Sequence, residues 1–206
     1  MLVVTLCQTK GGSGKSTLAE CFAVHASRNC RVTLLDLDPQ ASTTKWWRRR
    51  GGPDNPLLAT DIKTLSVFIA SLKRGVEPDV LIIDTPGSML GTIRDAVQEA
   101  DVVVVPLSPS VKDWEAMDVV ESIVHKAGKQ KQTMHIVNRF RPGTDASVEA
   151  LRALKERSLN PPIAVSLRTD HEKADAAGQT APEINREAAR EIAAAWDQIE
   201  RIRNVE

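Results

Sequence analysis

Four runs along the chain, Leu2–Cys7, Arg31–Leu37, Val80–Asp84 and Val102–Pro106, are dominated by apolar residues with little polar alternation. Strands of this kind are buried on both faces. Thr133–Asn138 and Ile163–Leu167 read as further strands, and Leu57–Thr60 as a short one. Between them the pattern changes to the helical period, over Ser16–Arg28 (Leu18, Phe22 and His25 on one face), Ser42–Arg50, Ile62–Arg74, Leu90–Ala100, Asp113–Ala127 and Ser147–Arg157. The tail, Pro182–Arg203, reads as one long helix with Pro182 near its start. Strand and helix alternate, which predicts an α/β fold: a mostly parallel twisted sheet with helices on both faces. Arg48–Pro56, broken by Gly51, Gly52 and Pro53, is the most loop-like stretch, and no internal repeat is present. A single domain over residues 1–206 is expected. Ligands of such sheets bind beyond the carboxyl ends of the strands, so strand ends are where chemistry is sought.

Composition narrows the function. Lys plus Arg is 27 and Asp plus Glu is 27, so the formal charge is zero. That argues against coating nucleic acid by bulk charge, though a local patch remains open. Aromatic residues are 3% with no Tyr, which disfavours a surface of stacked bases. Cys7, Cys21 and Cys30 form no CxxC and read as reduced residues in or near the core. His25, His125, His135 and His171 lack metal-ligand spacing. No basic leader and no apolar stretch of membrane length is present, so a cytoplasmic protein is expected.

Lys10-Gly11-Gly12-Ser13-Gly14-Lys15-Ser16-Thr17 follows the first strand directly. Glycines let backbone N–H groups turn inward around phosphate oxygens, and the next helix adds the positive end of its dipole. In a loop of this type Lys15 reaches the β- and γ-phosphates and Ser16 ligates Mg²⁺. The strict pattern has Gly where Thr9 stands, so the loop is a variant with a second lysine, Lys10. Asp84 ends an apolar run and is the expected Mg²⁺ partner, usually through water. Asp36 and Asp38, two residues apart at a strand end, would share a face if the strand continued.

Together these motifs resemble the ParA/MinD family of deviant Walker A ATPases, which have a P-loop NTPase fold. Asp36-Leu37-Asp38-Pro39-Gln40 resembles the family's DxDPQ motif, Val80–Gly87 its Walker B and switch region, and Val105–Ser110 its proline-containing loop. Val137-Asn138-Arg139 lies where relatives place an adenine-reading Asn. The five motifs run in family order from residue 3 to residue 139. Short length and no extra N-terminal region make the chain most like the small plasmid-type, ParF-like partition proteins.

The resemblance implies ATP and Mg²⁺ as ligands, with Gly11 to Thr17, Pro106, Asn138 and Arg139 around the nucleotide. It implies that Asp38 orients the attacking water and that Asp36 sits nearer the metal beside Ser16 and Asp84. Lys10 would cross to the partner's ATP in a homodimer. Further implied are nonspecific DNA binding, a ParB-like partner that stimulates slow hydrolysis, and a nucleoid-associated location. Two acid-free basic stretches are candidates for DNA: Lys45, Arg48, Arg49 and Arg50, then Lys126, Lys129, Lys131, Arg139 and Arg141. In the C-terminal third Arg168, Lys173, Arg186, Arg190, Arg201 and Arg203 are further candidates. Ala181–Glu206 holds four arginines against six acids, which weakens an electrostatic role for the last helix. The same balance argues against a membrane-binding tail. The stripe Ile184, Ala188, Ile192, Ala195, Ile199 and Ile202, with Trp196 beside it, is read as packing on the sheet. Two alternatives stay open: positioning of a protein cargo such as a carboxysome or a chemoreceptor array, and a metabolic ATP-dependent ligase or kinase. A relative of the nitrogenase iron protein is disfavoured, because no paired cluster-ligating cysteines are present.

Overall fold

The computed structural model describes residues 1–204, and of Val111 only the backbone. Seven strands form one parallel sheet in the order β3-β2-β4-β1-β5-β6-β7. They are β1 (Leu2–Leu6), β2 (Val32–Asp36), β3 (Leu57–Ala59), β4 (Val80–Asp84), β5 (Val102–Leu107), β6 (Thr133–Phe140) and β7 (Ile163–Ser166). The helices are α1 (Lys15–Ala26), α2 (Ser42–Arg49), α3 (Leu65–Arg74), α4 (Leu90–Glu99), α5 (Val111–Lys126), α6 (Asp145–Arg157), α7 (Asp170–Ala176), α8 (Ala181–Ile184) and α9 (Arg186–Arg203). This is the α/β architecture that the alternating pattern predicted, and it fits the P-loop NTPase fold that the resemblance implied.

The unbroken apolar runs have a direct cause. Along β4, Ile82 packs into a core with α1, Trp46 of α2 and α9, while Leu81 and Ile83 pack into the opposite core with α3 and α4. Successive side chains in a strand point to opposite faces, so a sheet covered on both sides needs apolar residues at every position. The two edge strands are short, three residues for β3 and four for β7. At the β7 edge the Ser166 amide donates to the Glu191 side chain rather than to another strand.

The tail departs from expectation. It is two helices, not one, with α7 ahead of them. Thr180 and Glu183 make a reciprocal capping box that starts α8. Asn185 then takes an extended conformation, and its side chain accepts from the amides of Glu187 and Ala188. A residue that caps a new helix cannot sit inside an old one. The stripe on α9 does pack on the sheet: Ala188, Ile192, Ala195, Ile199 and Ile202 are buried and Trp196 lies 6.0 Å from the Phe22 ring. Ile184, on the short α8, is 46% exposed. Cys7 and Cys21 are buried and Cys30 is half-buried, all as thiols. Among the described residues no helix is long and apolar enough to cross a membrane.

Candidate nucleotide site

The loop between β1 and α1 closes on its own backbone. Gly12 and Gly14 have φ of +79° and +94°, conformations that favour glycine. Gly14 also has no room for a side chain: a Cβ there would lie 2.0 Å from Asn138 Nδ2. The Lys10 carbonyl accepts from Lys15 Nζ at 3.3 Å and from Ser13 Oγ at 3.4 Å. Lys15 is 6% exposed, and burial lowers its pKa against the opposing pull of Asp84, Asp38 and Cys7. The first turn of α1 holds no acidic residue and no side-chain cap, so its amides remain open to an anion.

Three aspartates stand beside this loop with different surroundings. Asp36 and Asp84 are register partners at the ends of β2 and β4. Asp84 is fully buried; its Oδ2 accepts from Thr43 Oγ1 at 2.8 Å and its Oδ1 has no hydrogen-bond partner. Burial pushes its pKa up to about 6, with Asp36 adding to the rise and the Ser16 and Thr43 hydroxyls and Lys15 opposing it. Asp36 is occupied differently: it accepts from the Asp38 amide at 3.1 Å and from the Thr44 amide and hydroxyl at 2.8 and 2.7 Å. Its carboxylate shapes the turn into α2. Asp38 is half-buried and accepts from the Gln40 amide at 2.9 Å.

The residues present fit Mg²⁺. Ser16 and Asp84 offer hard oxygen donors, and the orphaned Asp84 Oδ1 is a buried lone pair without a partner. No group of three or more His, Cys, Asp or Glu that could hold a metal alone is found among the described residues. An ion bound through one carboxylate, one hydroxyl, phosphate oxygens and water suits that donor set.

Lys10 makes an ion pair within its own chain, to Asp113 on α5. Asp113 is 1% exposed and also accepts from the Ser108 amide, the Ser108 hydroxyl and the Ser110 hydroxyl, at 2.7, 2.6 and 2.9 Å. Burial pushes its pKa upward, but the bonds from Lys10, Ser108 and Ser110 prevail and hold it below the usual range. Sequence reasoning did not single out Asp113. Its signal was Ser110 followed three residues later by an acid at a helix start, the spacing of a capping motif.

Beyond Gly14 and Thr17 the loop opens into a cavity of about 760 Å³. Asn138 lies between the two: its Nδ2 donates to the Ser13 carbonyl at 2.8 Å, so its Oδ1 remains the available acceptor. Arg139 lines the cavity from a β-bulge with φ of +56°, the register of β6 on β7 shifting between Asn138 and Phe140. Pro106 does not line it. That residue is buried inside β5, pairing with Ile136, and its carbonyl faces Gln8 Nε2 at 3.4 Å; Ser108 and Pro109 take the place at the wall. The far wall, His171, Asp175, Gln179 and Thr180, comes from α7 and its flanks, where no motif announced it. Glu20 on α1 also borders the cavity; burial, with Asp84 and Asp175, raises its pKa well above that of an ordinary glutamate.

Comparison with known proteins gives the family and the fold. A family model described as the CobQ/CobB/MinD/ParA nucleotide binding domain matches residues 4–182. The chain belongs to that family. It is a ParA/MinD-type ATPase domain. It is 31% identical to the maintenance of carboxysome distribution protein A of Gloeobacter kilaueensis over 205 residues, covering 96% of this chain and 91% of that one. It is 32% identical to the protein ParA of Rhizobium radiobacter over 114 residues, 55% of this chain and about half (51%) of that relative. A plasmid partition protein from Borrelia burgdorferi, solved bound to AMPPNP, superposes with a TM-score of 0.74 over 98% of this chain and 97% of that one at 21% identity, a likeness of fold.

The basic stretches of this ATPase are not the continuous patches that the sequence suggested. On α2, Arg49 pairs with Asp175 and Arg50 with Glu183, and Lys45 donates to the Gln40 carbonyl. The second stretch is divided by β6: Lys126, Lys129 and Lys131 lie at its start and Arg139 and Arg141 at its end. Eight strand residues separate them by about 26 Å. Arg168, Arg190 and Arg203 pair with Glu191, Glu187 and Glu200.

Proposed function

We propose that this ATPase is a positioning protein: ATP and Mg²⁺ close a homodimer, the dimer binds DNA without sequence preference, and a ParB-like partner stimulates hydrolysis and release. The observation that carries this reading is the convergence of Lys10, Lys15, Asp38 and Asp84 on one loop. Gly11 to Thr17 wrap the phosphates, and Lys15 neutralises them. Mg²⁺, held by Ser16 and Asp84, would shield charge between the phosphates. Asp38 orients the attacking water, while Asp36 holds the turn that presents Asp38. Catalysis is mainly positioning and charge, so intrinsic hydrolysis is slow.

Lys10 acts in trans. Its side chain is 37% exposed although its partner Asp113 is buried, so a developing phosphate charge can compete for it. Asn138 Oδ1 faces the base. A hydrogen-bond acceptor there suits the amino group of adenine. DNA contact rests on scattered exposed bases of two protomers rather than on one dense patch.

A second reading has its own support. The relative that covers nearly the whole chain distributes carboxysomes, whereas the relative called ParA covers half. The cargo would then be a protein assembly, with the same ATP cycle.

Binding to a random-sequence duplex tests the proposal, with ATP–Mg²⁺ and with ADP, for wild type and Lys10→Ala. Supporting data are ATP-dependent binding that falls steeply with salt and is lost in the variant. Tight ATP binding with no DNA binding in any nucleotide state would sink the DNA mechanism and favour a positioning protein that works without DNA, or the metabolic ligase or kinase alternative.

A further inference from the structure

Helix α2 is a short rod between the two ends of the site. Eight residues give it a length of about 12 Å. Its first turn serves the carboxylates: Thr43 donates to Asp84 and Thr44 to Asp36, and the chain enters it directly from Asp38. Its last turn is fastened elsewhere. Trp46, fully buried, donates through Nε1 to the Gln179 carbonyl at 3.0 Å. The Arg50 guanidinium stacks over the Trp46 ring at 5.5 Å, donates to the Gly178 carbonyl at 3.1 Å and grips both oxygens of Glu183 at 2.9 Å. Arg49 donates to the Asp175 carbonyl at 3.0 Å. Gly178 is pressed so close that a Cβ there would lie 2.3 Å from the Arg50 amide.

Asp175, Gln179 and Thr180, the residues that receive these bonds or flank them, also wall the cavity beyond Gly14. A helix of eight residues does not hold itself in water; its place is set by what it touches. The bonds from Trp46, Arg49 and Arg50 therefore tie the position of α2, and of the turn before it, to the α7–α8 segment.

We propose that Arg50 is a positioning residue that clamps α2 to the α7–α8 segment, so that filling the base cavity sets the geometry of Asp38. This rests on the assignment of Asp38 to catalysis. A two-pronged guanidinium–carboxylate pair suits the task, because it fixes orientation as well as distance. Lysine keeps the charge and loses the fork.

The test is amide hydrogen exchange on the full chain, with and without ADP, for wild type, Arg50→Gln and Arg50→Lys. In wild type, ADP slows exchange in both the α7–α8 segment and α2. In Arg50→Gln, protection of the α7–α8 segment remains and protection of α2 is lost, with Arg50→Lys between the two. If Arg50→Gln does not fold, Arg50→Lys carries the same comparison.

Hydrolysis supplies an independent arm. Arg50→Gln lowers kcat about 10-fold with KM changed less than about threefold, and adds no loss in an Asp38→Ala background. The inference is overturned if ADP protects α2 equally in the variant, or if the two substitutions multiply. Wild type that binds no ADP would bring down the nucleotide reading itself. Wild type that binds and hydrolyses with α2 unaffected would bring down this coupling alone.

Discussion

Replacing Asp84 with Asn should stabilise the nucleotide-free protein above neutral pH. The buried carboxyl titrates at about 6 in the folded chain against 3.8 for an ordinary aspartate. Between those values the folded state holds a proton that the unfolded state has released. Stability therefore falls as pH rises from about 4 to about 6 and levels off near pH 7. At 1.36 kcal/mol per pH unit the difference amounts to about 3 kcal/mol at the plateau. Asn keeps an acceptor for Thr43 and has no charge to bury, but its amide needs an acceptor of its own, so we expect about half of that gain. For a chain of this size this is about 3–6 °C in melting temperature. Thermal melts from pH 4.5 to 8, in chelator and without nucleotide, read the effect as variant minus wild type. Glu20, raised first by burial and next by Asp84, is relieved of the second in the variant, which adds to the gain in the same direction. The gap should be near zero at pH 4.5 and widen to its full value by pH 7. A gap that ignores pH, or a variant that melts below wild type at pH 8, would refute the reasoning. The more stable variant should also be inactive in ATP turnover, a stability–function trade-off at a site that keeps a charge buried.

Other substitutions read different parts of the molecule. Gly14→Ala meets both a φ of +94° and the Asn138 amide, so fluorescent-nucleotide titration should show binding abolished and melts should show a loss of about 1–3 kcal/mol. Trp46→Ala removes a fully buried ring between α2 and the sheet and should cost about 3–5 kcal/mol by urea unfolding. Asp113→Ala takes the acceptor from the Ser108 amide and frees Lys10, for a loss of about 2 kcal/mol at pH 7. Because Asp113 titrates below its ordinary value when folded, wild type should lose that contribution only as pH falls below about 4, and the melts of wild type and variant should converge there.

Much of the fold was legible because its signals are local. An apolar run without alternation, as in Val80–Asp84, has few explanations other than a strand covered on both faces. The loop Lys10–Thr17 was legible for the same reason, since glycines and lysines at that spacing after a strand carry a physical demand. Less visible were features created by distant pairing. Asp36 and Asp38 look equivalent in sequence, and only the return of Thr44 separates the one that builds the turn from the one whose carboxylate Thr44 leaves alone. Arg49 and Arg50 read as a charged face until α7 and α8 bring Asp175 and Glu183 to them. The helix α7 has one buried residue, Ala174, and so leaves almost no periodic trace.

The short outer strands bear on how copies of the protein meet. A sheet with long bare margins invites another chain to add a strand, and from there to aggregate. Here one margin offers three residues, and at the other an amide is already taken by Glu191. Strand-by-strand growth has little purchase on either side. Pairing of copies along the sheet margins is thereby disfavoured, and a dimer of the kind proposed above has to use other faces of the molecule.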